Sequence, residues 1–235
     1  LGDWKQSTEV SLDITSSSRY VPNTKTSVFI FDKPGAPQSV IRAAHLTVPH
    51  NHTNYFPLTI ANYIFGGQPT SRLFMNLRQD KGYSYGYYST IDWLTGTSAL
   101  FAGGSVETSV TKEAVVETIK EFADIRGKNP VTENEFESAK NSILRSFPSQ
   151  FERHSQIANQ LGTLSIFGLP DNYFTKYIQN VKNTTLKEVH KAADENIDDE
   201  HLCILVVGDR EIIEPRLEEL DLPVIPVDPE GRIMA

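Results

Sequence analysis

Thr26 to Asp32 is rich in β-branched and aromatic residues, and Gln38 to Val48 alternates apolar with polar positions. Lys33-Pro-Gly35 closes the first run and Pro49 the second, so both read as strands. From Asn54 to Phe65 the apolar spacing becomes helical, through Phe56, Leu58, Ile60 and Ile64, and Gly66-Gly67 supplies the stop. Ser71 to Gln79 reads as a short helix, and Gly82 turns the chain into a β-rich run. Tyr85 to Leu94 and Ser98 to Val106 flank Thr95-Gly96-Thr97 and predict an antiparallel hairpin. Strict alternation puts Tyr83, Tyr85 and Tyr87 on one face and Tyr88 on the other. Gly103-Gly104 inside the second run points to a bulge or a close backbone approach.

The second half changes character. Thr111 to Arg126 is amphipathic, with Val115, Ile119 and Phe122 on one face. Thr132-Glu-Asn-Glu135 is a capping box that opens a helix running towards Phe147. Helical stretches follow at 152–167, 171–181 and 185–196. Leu202 to Val207 reads as a buried strand and Glu211 to Leu220 as a helix. Leu222 to Asp228 is expected at a sheet edge, because its prolines cannot donate to a central ladder. Hairpins and multi-helix insertions exclude a simple βαβ repeat. The order predicts a two-layer α+β domain, with helices on one face of a mostly antiparallel sheet. Residues 5–25, polar and rich in Ser and Thr, read as an extended linker.

The net charge of −8 argues against nucleic acid as the main partner, since no basic stripe is available to meet phosphates. No apolar stretch reaches the length of a membrane span. The single cysteine, Cys203, rules out an intrachain disulfide, and its apolar run predicts a buried structural thiol. The compartment stays open, with bacterial periplasm and cytoplasm both compatible.

Candidate chemistry gathers in one segment. Arg78 sits late in a short helix and Tyr85 opens a strand seven residues later, so a guanidinium and a phenol are carried on rigid elements. Such a pair suits a polarised carbonyl oxygen. Arg72 reads instead as a structural ion pair or a carbonyl cap. None of His45, His50, His52, His154, His190 and His201 belongs to a His-x-x-Glu-His or His-Glu-x-x-His motif. Ile197-Asp-Asp-Glu-His201 lacks the first ligand, and His50-Asn-His52 has no third ligand in view. No zinc is expected on this chain alone.

Several segments, taken in order, carry a family resemblance. Gly66-Gly-Gln-Pro-Thr-Ser-Arg-Leu-Phe74 resembles Gly-Gly-x-x-x-Ser-Arg-Leu-Phe, and Leu77-Arg-Gln-Asp-Lys-Gly-Tyr-Ser-Tyr85 resembles Leu-Arg-x-x-x-Gly-x-x-Tyr. Pro130 to Lys140, Phe167-Gly-Leu-Pro170 and Val207-Gly-Asp209 fall at matching places. Over roughly residues 26–228 the chain resembles the C-terminal half-domain of a pitrilysin/insulinase-type zinc metallopeptidase, an inverzincin. The opening Gly2-Asp-Trp4 resembles the end of a preceding half-domain. The resemblance implies a tail and linker over 1–25 and one half-domain over 26–235. It implies the LuxS/mitochondrial-processing-peptidase-like metallohydrolase fold. It also implies an N-terminal partner half, in the same polypeptide or a separate subunit, that carries zinc on its His-x-x-Glu-His (HxxEH) motif. Arg78 and Tyr85 map onto the family's Arg/Tyr pair, which binds the peptide substrate and stabilises the oxyanion. The alternative is a catalytically inactive peptide-binding or scaffold module of the same fold.

Overall fold

Alternation along the strands is what builds the sheet. In the computed structural model, which describes residues 24–234, six strands form a single sheet. They are β1 (Ser27–Asp32), β2 (Gln38–Thr47), β3 (Ser84–Asp92), β4 (Ser98–Glu107), β5 (Cys203–Gly208) and β6 (Val224–Val227). Their spatial order is β3-β4-β2-β5-β1-β6. The β3/β4, β4/β2 and β2/β5 pairs are antiparallel, whereas β1 runs parallel to β5 and β6. The proline-bearing strand β6 lies at the edge, where a missing N–H is tolerated. The expected tail and linker over 1–25 lies, apart from its last two residues, outside the described residues.

Eight helices are described: α1 (Tyr55–Phe65), α2 (Arg72–Phe74), α3 (Thr111–Ala123), α4 (Glu133–Ser146), α5 (His154–Phe167), α6 (Tyr173–Asn183), α7 (Leu186–Asn196) and α8 (Arg210–Leu217). The predicted capping box starts α4: Glu135 N–H donates to Thr132 Oγ1 at 3.3 Å, and Thr132 N–H donates to Glu135 Oε2 at 2.8 Å. Thr185 and Glu188 start α7 in the same way. Leu58 and Phe65 of α1, Val115 and Phe122 of α3 and Val189 of α7 are fully buried in one cluster with Ile41, Leu100, Ile204 and Val206 of the sheet. Burial of each such side chain contributes about 1.5–3 kcal/mol. One face of the sheet is therefore the core.

Among the described residues, no helix covers the opposite face. Arg42, Leu46, Ser105 and Cys203 on it are exposed, and Ala44 and Phe101 are half-buried. This corrects the expectation for Cys203. Its run is apolar throughout, but only Ile204 and Val206 point at the helices, while Cys203 stands on the bare face. The surroundings that partly desolvate the thiol raise its pKa above the ordinary value. Cys203 of the native chain is therefore expected to take up a maleimide stoichiometrically without denaturant, at a rate that climbs as pH rises past neutral. A thiol that reacts only after unfolding would show the face to be covered.

Candidate functional site

The segment after α1 departs from regular helix. Helix α2 runs on into a π-helical turn, Met75–Asp80, in which Lys81 N–H reaches Asn76 O at 3.0 Å, five residues back. Such wide turns need outside support and are frequent at functional sites. Support comes from α3, where Asn76 Nδ2 donates to Glu117 Oε2 at 2.9 Å and Glu121 Oε1 at 2.7 Å. Lys81 Nζ lies 3.2 Å from Glu117 Oε1. Leu77 is buried beneath the turn, which leaves Arg78 half-buried at its rim. Gly82, at φ 67°, supplies the left-handed residue that swings the chain into β3.

Strand β3 then carries one residue too many. Its pairing with β4 shifts between Ser84 and Tyr87, a β-bulge. The Ser84 hydroxyl holds it, accepting from Gly86 N–H at 3.1 Å and lying 2.8 Å from Gly86 O and 2.7 Å from Ser105 O. The bulge corrects the tyrosine alternation. Tyr85 is 86% exposed and Tyr87 fully buried, so they lie on opposite faces, and Tyr88 shares the outer face with Tyr85. Tyr87 OH meets Thr118 Oγ1 of α3 at 2.7 Å. Burial raises the Tyr87 pKa, which the Thr118 hydroxyl and the Arg42 charge only partly offset.

With Tyr85 turned outward, Arg78 and Tyr85 come together. The Arg78 guanidinium carbon lies 5.8 Å from the Tyr85 ring centroid, a cation–π arrangement. Among the described residues no carboxylate approaches Arg78 within salt-bridge distance. The cation and the phenol thus share one solvent-facing site, with their donors free for a ligand oxygen.

Arg72 has a different role, as its position suggested. Its Nε and Nη2 fork onto Glu135 Oε1 and Oε2 at 2.7 and 2.8 Å, and Nη1 donates to Asn129 O. The same Glu135 closes the capping box of α4, so one carboxylate ties the start of α4 to the helix that leads to Arg78. Burial acts to raise the Glu135 pKa, but the Arg72 fork and the Thr132 N–H and hydroxyl outweigh it and hold the carboxyl at about 2.

The histidines are scattered. His50 is buried and stacks on Phe167 at 4.1 Å, where burial lowers its pKa. His52 instead accepts Asn54 N–H at 3.1 Å on the exposed side of the same turn. His45 lies edge-on to Phe122 with Nδ1 2.9 Å from Leu46 O. His201 faces Asp198, and His190 Nε2 faces Val131 O at 2.7 Å. Among the described residues no three His, Cys, Asp or Glu side chains gather as a metal site, so this part of the chain does not fit zinc.

The residues that sequence reasoning missed are Asn76 and Ser84. An Asn inside a short helix, two residues before the Arg, was the available sign, since Asn disfavours helix interiors unless its side chain has other work.

The six-stranded sheet, with helices on one face, thus carries the Arg78/Tyr85 segment at its margin. Residues 1–143 match the family described as Peptidase M16 inactive domain, and the chain belongs to that family. It is 26% identical over 148 residues to a Bacillus subtilis protein named uncharacterized zinc protease YmxG, covering 63% of this chain and 31% of that protein. It is 24% identical over 153 residues to a Helicobacter pylori protein named non-peptidase homolog YmxG, covering 63% of this chain and 34% of that protein. The chain thus spans about a third of the length of these curated relatives. A crystal structure of a peptidase M16 inactive domain from Pseudomonas fluorescens shares the fold, with a TM-score of 0.71 at 21% identity over 78% of this chain and 43% of that one.

Two outcomes are expected. A Cβ at Gly104 would stand 2.4 Å from Gly86 O, so Gly104→Ala should push the bulge away and cost about 1–3 kcal/mol in denaturant unfolding. Unchanged stability would mean the bulge is not held by this contact. Arg72→Met should destabilise the chain by about 2 kcal/mol at neutral pH. The folded pKa of Glu135 is depressed, so its stabilisation is present above 4.5 and lost as pH falls towards about 2. The deficit of the variant should therefore shrink across that window, and a deficit constant with pH would contradict the assignment.

Proposed function

We propose that this chain is the substrate-binding half of a zinc-dependent metalloendopeptidase. The domain division follows the same reading, with residues 26–235 as the half-domain and 1–25 as the tail and linker before it. Arg78 and Tyr85 receive the carbonyl oxygen of a bound peptide and hold it as charge develops there. The zinc and the attacking water belong to the partner half, on its His-x-x-Glu-His motif, in the same polypeptide or a separate subunit. The observation that carries the reading is the Arg78 guanidinium over the exposed Tyr85 ring, with no carboxylate partner among the described residues. A neutral donor and a cationic donor aimed at one oxygen contribute about 3 kcal/mol each where water is excluded. An extended peptide would enter by strand addition beside the sheet.

A second reading has its own support. The Helicobacter pylori relative bears the name non-peptidase homolog, and a chain of that kind would bind or scaffold without cutting. Among the described residues no helix is long and apolar enough to cross a membrane.

The discriminating measurement is cleavage of a quenched fluorescent peptide by this chain combined with its His-x-x-Glu-His half. Zinc-dependent cleavage should fall about a hundredfold or more in Arg78→Ala, by the usual loss for one oxyanion donor, and recover partly in Arg78→Lys. A folded, zinc-loaded combination that binds peptide without cutting it supports the module reading. Cleavage indifferent to Arg78 and to Tyr85→Phe would remove the pair from the chemistry.

A further inference from the structure

A groove of about 600 Å³ crosses the bare face of the sheet, from the bulge at Gly86 to Asp92 at the far end of β3. One cross-strand row forms its middle. Arg42 of β2 pairs with Gly103 of β4, and Gly103 pairs with Tyr88 of β3. The central residue is a buried glycine: a Cβ there would run into the Ile41 carbonyl and stand 3.0 Å from Arg42 Nη1, so the Arg42 side chain lies over it and forms that part of the groove floor. The Tyr88 ring leans over Gly86 on one side and meets Phe74 at 5.4 Å on the other.

The charges point the same way. Among the described residues Arg42 has no carboxylate within salt-bridge distance and donates no side-chain hydrogen bond. A guanidinium forks naturally onto a carboxylate. Phe101 lines the groove and is half-buried, so it offers an apolar wall for a side-chain stem. Tyr88 lies three residues along β3 from Tyr85, but the bulge takes up one of them, so the ladder advances by about two steps, roughly 7 Å.

We infer that the Arg42 end of this groove is a subsite for an acidic side chain, Asp or Glu, of the extended peptide whose carbonyl sits at Arg78 and Tyr85. The assignment rests on the peptide-binding reading above and adds to it a sequence preference. The acidic residue lies roughly two positions from the carbonyl, since an extended peptide has no bulge and matches the two ladder steps beneath it. Arg42 acts here as a specificity residue and takes no part in the chemistry.

The test uses the full chain combined with its His-x-x-Glu-His half, in chelator so that nothing is cut. Short peptides with acetylated and amidated ends remove terminal charges. A single Glu is walked along the peptide, with a Gln counterpart at each place, and binding is read by competition in fluorescence anisotropy. Glu should be preferred about fivefold to tenfold over Gln at one place, in keeping with a partly exposed charge-assisted pair. Arg42→Gln should bring that ratio to unity while leaving the Gln peptides bound. Arg78→Ala should weaken Glu and Gln peptides alike. Equal binding of Glu and Gln at every place, or a preference that survives Arg42→Gln, overturns the subsite and leaves the peptide-binding reading standing. If no peptide binds at all, that reading fails and the subsite falls with it.

Discussion

One extra residue in β3 decides which tyrosine belongs to the core and which to solvent. Without the shift between Ser84 and Tyr87, the period of two would send Tyr85 and Tyr87 to the same side. The core needs Tyr87, whose ring is fully buried and whose hydroxyl reaches Thr118 of α3. A large aromatic buried with its hydroxyl satisfied is one of the strongest single anchors a sheet can have. The bulge lets β3 keep that anchor and still present Tyr85 outward, beside Arg78. It depends in turn on the bare backbone of Gly104, because Gly86 O lies where a Cβ would be. The exposed half of the candidate pair is thus fixed by a buried one.

The other half is fixed from below. Arg78 rides on a π-helical turn whose widened backbone is a weak element on its own. Asn76 pins that turn to Glu117 and Glu121 of α3, and Arg72 pins the preceding helix to Glu135 at the start of α4. Buried Leu73 and Leu77 seat both against the core. Long cationic side chains lose much freedom when a ligand fixes them, so a platform that already holds the backbone lowers the cost of binding. The same α3 that receives Tyr87 also receives Asn76. Arg78 and Tyr85 therefore share one foundation, although a turn and a bulge separate them in the chain.

Much of this was legible in the sequence. The strands, the Thr95–Thr97 hairpin, the Thr132/Glu135 capping box and the structural role of Arg72 follow from local rules that tertiary packing did not override. The prolines of the last strand correctly assigned it to an edge, and Gly103-Gly104 correctly signalled a close approach. What escaped has a physical cause in each case. The bulge is a property of a strand pair, and strict alternation along β3 alone placed Tyr85 with Tyr87. Cys203 was expected inside because every neighbour in its run is apolar, whereas a sheet covered on one face buries only alternate residues. The π-helical turn has no period of its own and reads as ordinary helix from Ser71 to Gln79.

The chain is acidic as a whole, at −8, and on that ground alone a bound peptide would be expected to be basic. Charges are screened within about 8–10 Å in physiological salt, so a ligand on the bare face feels its immediate neighbours and little of the total. Those neighbours include Arg42 and Arg78, each without a carboxylate in contact among the described residues, while Arg72, Arg126, Arg210 and Arg216 are all paired elsewhere. Asp92 marks only the far end of the groove. A guanidinium left unpaired on a carboxylate-rich protein is a local reversal of sign, and two such residues face the same side as Tyr85 and Tyr88. On the proposed reading, a peptide bound there would meet a field set by these groups, one that favours carbonyl oxygen and carboxylate over the basic side chains that the net charge would suggest.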